Sequence, residues 1–418
     1  MMPYIKNINA SALQFAVLIS VIVIILLGSF ITLTYTHGLF KKQSDVLLKT
    51  IDEANRGIEL SLSRSSNVDS RITVVDEHKE LFIKKKVWGG FIAIESTSEN
   101  KNKIFTQRAL VGEALKNNNL GIFVSEQKMP LQLVGETKIV GDAYISDVGI
   151  KSGNIYNTSF KGSTLVYGDI RKSQTILPKL DLFWEKNIVN FLNSLPESNY
   201  EYVDLDYRLN NSFQNKTKVV FNQGPTTIST EALGNIIFKS DSEIVVTSNA
   251  MLEDVFLIAP KIIFKKNFKG TVHVLADTQI KVEENTSLLY PSSLILIDKN
   301  SKLGKPIPRD DEPIFLASSS TVNGVVMYLQ NINSDNNTNT SIRIDENSTV
   351  FGSVYCNGNL SLSGTVNGNL YTERFIVNLG SKFINYVYNG IIDRKGVNDG
   401  FVGLPLQQNK KGIAKWLY

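Results

Sequence analysis

The chain is poor in the residues that most catalytic and metal chemistry needs. Its 418 residues include one cysteine, Cys356, and three histidines. A single thiol excludes an intrachain disulfide framework and any paired-cysteine zinc or redox site. His37, His78 and His273 stand far apart in the chain and away from acidic clusters of metal-ligand spacing. No P-loop, HExxH, paired CxxC or GxSxG pattern occurs. Charge of one sign is lacking too: 44 basic residues face 40 acidic ones, for a formal net charge of +4. No stripe of basic residues interleaved with aromatics marks a nucleic-acid surface. Lys84 to Lys86 and the group Lys265, Lys266 and Lys269 read as solvated lysines on strand edges. Gly89-Gly90 is followed by no helix start, so it reads as a turn after the aromatic plug Trp88 and not as a phosphate cradle. We expect no catalytic, cofactor-binding or metal-binding residues and no enzymatic activity.

Formal charge is also missing from Lys6 to Lys41, where only His37 can acquire one. Within that gap Phe15 to Leu33 is apolar except for Ser20, Gly28, Ser29 and Thr32. About 20 such residues cross the hydrocarbon layer as a helix. The run is long for a cleavable signal core and lacks a small-x-small exit, so an uncleaved anchor in membrane lipid is expected. Lys41 and Lys42 after the span outnumber Lys6 before it, which by charge alone places the domain inside. A short tail before a single span, however, inserts with the tail inside. We expect a bacterial inner-membrane protein with its large C-terminal domain exported.

Beyond the span, Leu47, Ile51, Ala54, Ile58 and Leu62 form one helical face opposite Asp45, Lys49, Asp52, Glu53, Arg56 and Glu59. Apolar and amphipathic stretches thus join in one long helix. With Lys6, Asn9 to Leu13 and Glu53 to Glu59, this layout resembles the N-terminal helix of type IV minor pilins and pseudopilins. That family's fifth-position glutamate, counted from a cut after Ala10, is Phe15 here. The resemblance implies a pilus-like or secretion apparatus.

Glycine supplies the strongest internal pattern. Ile139 to Ala143, Val166 to Ile170, Val322 to Val326, Val350 to Val354 and Val366 to Leu370 each place a central glycine between two apolar residues. Such strands, recurring one coil apart, predict a solenoid with glycine at a tight corner. Two interleaved ladders support it: Asn235 to Phe238, Val255 to Ile258, Thr271 to Val274 and Leu294 to Ile297, then Glu243 to Val246, Lys261 to Phe264 and Gln279 to Val282. In the first, His273 alternates with Val272 and Val274 and is expected to face solvent. Gly352 to Leu370 resembles bactofilins, bacterial polymer-forming β-helix proteins, which implies a cytoplasmic scaffold as an alternative.

The expected class is mainly β: a parallel β-helix interrupted by a helical insertion and preceded by a long transmembrane and amphipathic helix. The expected segments are a tail (1–11), a span (12–36), an amphipathic stalk (37–66), a first β block (67–175), an insertion (176–214), a β-helix (215–400) and a terminal cap (401–418). The insertion is expected to hold a helix bounded by Pro178 and Pro196, packed on the solenoid flank or capping the first block, and then a loop. Asn331 to Asn347 is expected as a surface loop, and Cys356 as a packed strand residue. A second alternative, a carbohydrate-active β-helix, rests on Asp310, Asp311 and Glu312, which otherwise read as a solvated loop between prolines. The expected function is a membrane-anchored structural or assembly protein of a pilus-like or envelope-associated secretion or adhesion apparatus. Its partners are copies of itself or other envelope proteins, and no nucleic acid.

Overall fold

A computed structural model describes residues 10–63, 70–74, 79–115, 118–193, 200–299, 312–330, 338–398, 400–407 and 410–418. The chain separates into two compact units. One comprises Met1–Gly57, Arg71–Phe82 and Ser96–Gln107, the other Ile58–Ser70, Ile83–Glu95 and Arg108–Tyr418.

The apolar span and the amphipathic stretch belong to one helix, α1 (Ala10–Ser63), which lies in the first unit as far as Gly57. At 1.5 Å per residue it is about 80 Å long. Every large apolar side chain from Leu13 to Leu33 is exposed. The polar interruptions are satisfied within the helix: Ser20, Ser29, Thr32 and Thr34 donate to the carbonyls of Ala16, Ile25, Gly28 and Phe30 at 2.7–2.8 Å. Such back-bonding leaves no hydroxyl unpaired in a hydrocarbon layer. Farther along, Thr50 and Ala54 are buried, and Gly57 lies against Ser96 and Leu81. A Cβ at Gly57 would stand 2.0 Å from Ser96 Oγ and 3.1 Å from Leu81 Cδ1, so a larger residue requires the Ser96 hydroxyl to rotate away.

Strands β1 (Ser70–Val74), β2 (Lys79–Trp88), β3 (Phe91–Asn100) and β4 (Lys103–Glu113) follow in sheet order. Gly89-Gly90 is the two-residue turn joining β2 and β3, with Gly89 at φ +57°. Lys411–Leu417 adds antiparallel to β4, pairing Ile413 with Val111 and Trp416 with Ala109. The tail expected as an end cap is therefore an edge strand of this sheet.

The second unit is built on parallel strands stacked coil over coil. One inward row runs in register through Val220, Phe238, Leu257, Val274, Leu294, Val326, Val354 and Leu370. It continues through Ile122, Ala143 and Ile170. A second row stacks Ile244, Ile262, Ile280, Ile314, Ile342 and Leu360, and a third stacks Leu288, Val322, Val350, Val366, Ile392 and Ile139. All but Ile170 in these rows are buried. Burial of such side chains, at roughly 1.5–3 kcal/mol each, is the main source of cohesion. A coil takes about as many residues as separate Val354 from Leu370 or Val274 from Leu294, which matches the expected spacing.

The rows give the first correction. The helical insertion interrupts the solenoid in sequence but not in space, because residues 120–172 stack on the coil ending at Leu379 and extend the same pile. The helix is also smaller than expected: α2 (Leu182–Asn193) is capped by Asp181, whose Oδ1 accepts from Phe183 N and Trp184 N at 3.0 and 3.2 Å. It lies along the flank, with Phe191 5.4 Å from Phe256 between ring centroids. Its expected stop at Pro196 falls outside the described residues. The following stretch is more than loop, since Tyr200–Tyr202 and Arg208–Asn211 are strands of the first coil. The expected loop at 331–347 likewise contains the stacked strand Ile342–Ile344, while 331–337 lie outside the described residues.

The glycine motif marks a corner. Gly324, Gly352 and Gly368 stack in register at φ +146°, +144° and +140°. A Cβ on any of them would meet a carbonyl oxygen of the previous coil at 1.8–1.9 Å. Backbone packs on backbone at this edge, which no side chain permits.

Candidate functional site

Of the acidic candidates, Asp310 and Asp311 lie outside the described residues. Glu312 is 4% exposed and is clasped by Arg343, whose Nε and Nη2 donate to its two carboxylate oxygens at 2.5 and 2.6 Å. Arg343 Nη1 also donates to Ser361 Oγ at 3.1 Å. The solvated-loop expectation is thus corrected at Glu312, whose carboxylate is committed to a bidentate ion pair on the solenoid wall.

His273 requires a larger correction. Alternation places Val272 and Val274 inward and His273 outward, but a second layer covers that outer face. His273 is 0% exposed beneath Trp88 and Phe91, at centroid distances of 6.5 and 5.9 Å. Gly90 N donates to Ser293 Oγ at 2.8 Å, and Ser293 Oγ lies 2.9 Å from His273 Nδ1. With one lone pair of the hydroxyl taken by Gly90, its proton is free to donate to Nδ1. Burial, assisted by the Lys415 charge, lowers the imidazole pKa to about 3. A serine beside a neutral histidine has the elements of a nucleophile and base, but Ser293 is itself 0% exposed. The pair fastens the β2–β3 turn onto the coils. Trp184 Nε1 completes the fastening by donating to Gly89 O at 2.9 Å. Of the other histidines, His37 is exposed on α1 and His78 lies outside the described residues. Cys356 is buried as expected, and burial raises its thiol pKa well above the ordinary value.

The outer face also carries an aromatic column. Tyr355, Tyr371, Phe123 and Tyr144 follow one another at 6.0–6.3 Å between ring centroids. The Arg171 guanidinium ends the column 5.8 Å from the Tyr144 ring. Beside it a cavity of about 480 Å³ is lined by Asn118, Tyr144, Lys172, Gln174, Lys179 and Gln407, among others. Five of its thirteen lining residues carry amides or amines, the other eight are apolar or aromatic, and no carboxylate is among them, so no paired carboxylates converge on the cavity. Among the described residues no cluster of three or more His, Cys, Asp or Glu side chains has metal-binding geometry.

The remaining candidate surfaces are the two coil edges. At one edge Ile170, Arg171 and Lys172 are all exposed, although the preceding residue of the inward row, Ala143, is fully buried. At the other, Glu201, Tyr202 and residues 204–208 are exposed, with Tyr207 at 82%. Sequence reasoning identified neither edge, because it kept the first block apart from the second.

These features define a β-rich protein with a large parallel sheet of solenoid form and an apolar N-terminal helix able to anchor in a membrane. No family model matches the chain, and no curated protein matches it. A solved structure, the competence-associated pilin ComZ from Thermus thermophilus, aligns with 84% of this chain and 85% of its own at 10% identity and a TM-score of 0.23. That likeness is too low to support an argument about fold or function. The resemblance to bactofilins read from Gly352 to Leu370 gains no support from the comparisons.

Proposed function

We propose that this chain is a single-pass, membrane-anchored structural or assembly protein and not an enzyme. Its β-solenoid is exported and serves in a pilus-like or envelope-associated secretion or adhesion apparatus. The observation that carries this reading is α1: its first half is apolar and bare, and the same unbroken helix buries Thr50, Ala54 and Gly57 farther on. A helix built in this way holds lipid at one end and a folded domain at the other. The buried state of Ser293, His273 and Glu312 is consistent with a scaffold, since the groups with chemical potential are used internally.

A second reading, a membrane-linked scaffold with its β domain in the cytoplasm, is favoured by Lys41 and Lys42 following the span. A reporter fused after Tyr418 and assayed on both sides of the membrane separates the two. Activity confined to the outer side supports export, and cytoplasmic activity overturns it in favour of the second reading.

A further inference from the structure

The segment that links the strand Ile170–Lys172 to α2 is tied down by its backbone and leaves several side chains unused. Glu126 N donates to Gln174 O at 2.9 Å, Tyr355 Oη to Pro178 O at 3.1 Å and Gln407 N to Lys179 O at 3.0 Å. These three anchored carbonyls fix the path from 174 to 179, and Pro178 stiffens it further. The side chains of Gln174, Lys179 and Gln407, by contrast, have no hydrogen-bond or ion-pair partner among the described residues. All three line the cavity of about 480 Å³ beside the aromatic column. Ile176 lines it too and is 57% exposed. The volume lies within the roughly 300–1,000 Å³ of small-molecule sites. Two more polar lining residues are already committed: Asn118 Nδ2 donates to Glu113 Oε1 at 3.1 Å, and Lys172 is ion-paired with Asp147. The groups open to a ligand are therefore two amides and one ammonium, set over an apolar lining that includes Leu120, Leu177 and Leu406.

We propose that this cavity binds a carboxylate-bearing sugar of the uronic acid type and holds it without cleaving it. Each part of such a ligand has a counterpart. A pyranose ring has an apolar C–H face, which covers Ile176 and the leucines. Its hydroxyls both donate and accept, as do the amides of Gln174 and Gln407. Its carboxylate meets Lys179, the lining ammonium that carries no acid of its own. A neutral sugar leaves Lys179 unmatched, and an apolar acid leaves both glutamines unmatched. Because the strap is anchored through its backbone, little ordering is needed on binding. No carboxylate lines the cavity, so the paired acids of glycoside hydrolysis are missing from it. The inference goes beyond the assembly reading and is independent of which side of the membrane holds the β domain.

The test is NMR saturation transfer with the detergent-solubilised full-length chain. Methyl glucuronide is compared with methyl glucoside, which lacks the carboxylate, and with cyclohexanecarboxylate, which lacks the hydroxyls. The glucuronide is expected to bind about ten-fold more tightly than either. K179M removes its advantage over the glucoside, K179R keeps it, and Q174A/Q407A reduces it to the level of cyclohexanecarboxylate. Gln174 and Lys179 are exposed and Gln407 is half-buried, so the variants should unfold at the wild-type temperature, which separates lost binding from a lost fold. Equal binding of glucuronide and glucoside, or no effect of K179M, overturns the proposal. So does cyclohexanecarboxylate binding as tightly as the glucuronide, which makes the site one for apolar acids. Tighter binding of the peptide acid acetyl-Gly-Leu also overturns it and reassigns the cavity to a peptide C-terminus. No transfer to the glucuronide at millimolar concentration rejects the site outright.

Discussion

Acid should loosen the solenoid through His273, and the size of the effect can be worked out from the geometry. The imidazole is fully buried, with its pKa lowered to about 3 by burial and secondarily by Lys415, against an ordinary value of 6.5. Between these values the unfolded chain binds a proton that the folded chain refuses. Stability from this group is therefore complete above pH 6.5 and declines as pH falls from 6.5 towards 3. Each pH unit in that window costs about 1.4 kcal/mol, or about 2 kcal/mol on going from pH 6.5 to 5. Asp254, whose carboxyl is raised by burial, acts in the opposite direction because its folded form holds a proton more readily. The control is H273N, whose side-chain oxygen can accept from Ser293 where Nδ1 stands and does not titrate. Urea unfolding of the detergent-solubilised chain is followed by tryptophan fluorescence, to which Trp88 contributes from 6.5 Å away. The wild type should lose about 2 kcal/mol more than H273N over that interval. Parallel pH profiles for the two proteins would refute the buried neutral imidazole.

Two further perturbations test the walls of the stack. Gly368→Ala introduces a Cβ 1.8 Å from the Gly352 carbonyl oxygen at φ +140°, and the backbone on both sides resists displacement. A loss of about 3 kcal/mol or more is expected in urea unfolding, whereas Gly149→Ala, at φ +85° with open space around it, should cost about 1 kcal/mol; equal losses would show that the corner is not close-packed. Arg343→Met removes the partner of a carboxylate that is 4% exposed and should cost about 3–5 kcal/mol, and adding Glu312→Gln should recover part of it. A double variant as unstable as Arg343→Met alone would count against the charge as the cause.

Much of the architecture was legible because burial in a solenoid is written into periodicity. Val255 to Ile258 and Thr271 to Val274 are isolated apolar runs in sequence, and the structure pairs Leu257 with Val274 in the register their spacing implies. The glycine motif was equally readable, since a corner where backbone meets backbone admits one residue type. What escaped notice has a common physical origin: alternation tells which side of a strand faces the coil's interior, but not what covers the other side. His273 points outward as its neighbours require, and it is buried because the β2–β3 turn with Trp88 and Phe91 lies over it. Nothing in Val272 to Val274 encodes that second layer. The position of the first block was hidden for a related reason. Ile122, Ala143 and Ile170 carry the same inward pattern as Val354 and Leu370, so their stacking was foreseeable in kind. Parallel coils have no turn chemistry that specifies their neighbour along the axis, however, so the order of the blocks depended on long-range contact.

That order sets which strands lie at the two ends of the described stack. Because the first block extends the far end, the strand at Tyr200 opens one edge and the strand at Ile170 closes the other, although the two strands are separated by the short segment containing α2. At the Ile170 end the Arg171 charge is met within the chain, by Asp169 at 3.1 Å and Asp142 at 3.5 Å, and Lys172 pairs with Asp147. Glu201, Asp204 and Asp206 lie on an exposed coil with Arg208, and Glu201 stands in register beside Lys218 of the next coil. The two ends therefore differ in how far their charges are met within the chain: Arg171 and Lys172 are ion-paired, whereas Glu201, Asp204 and Asp206 form no ion pair among the described residues.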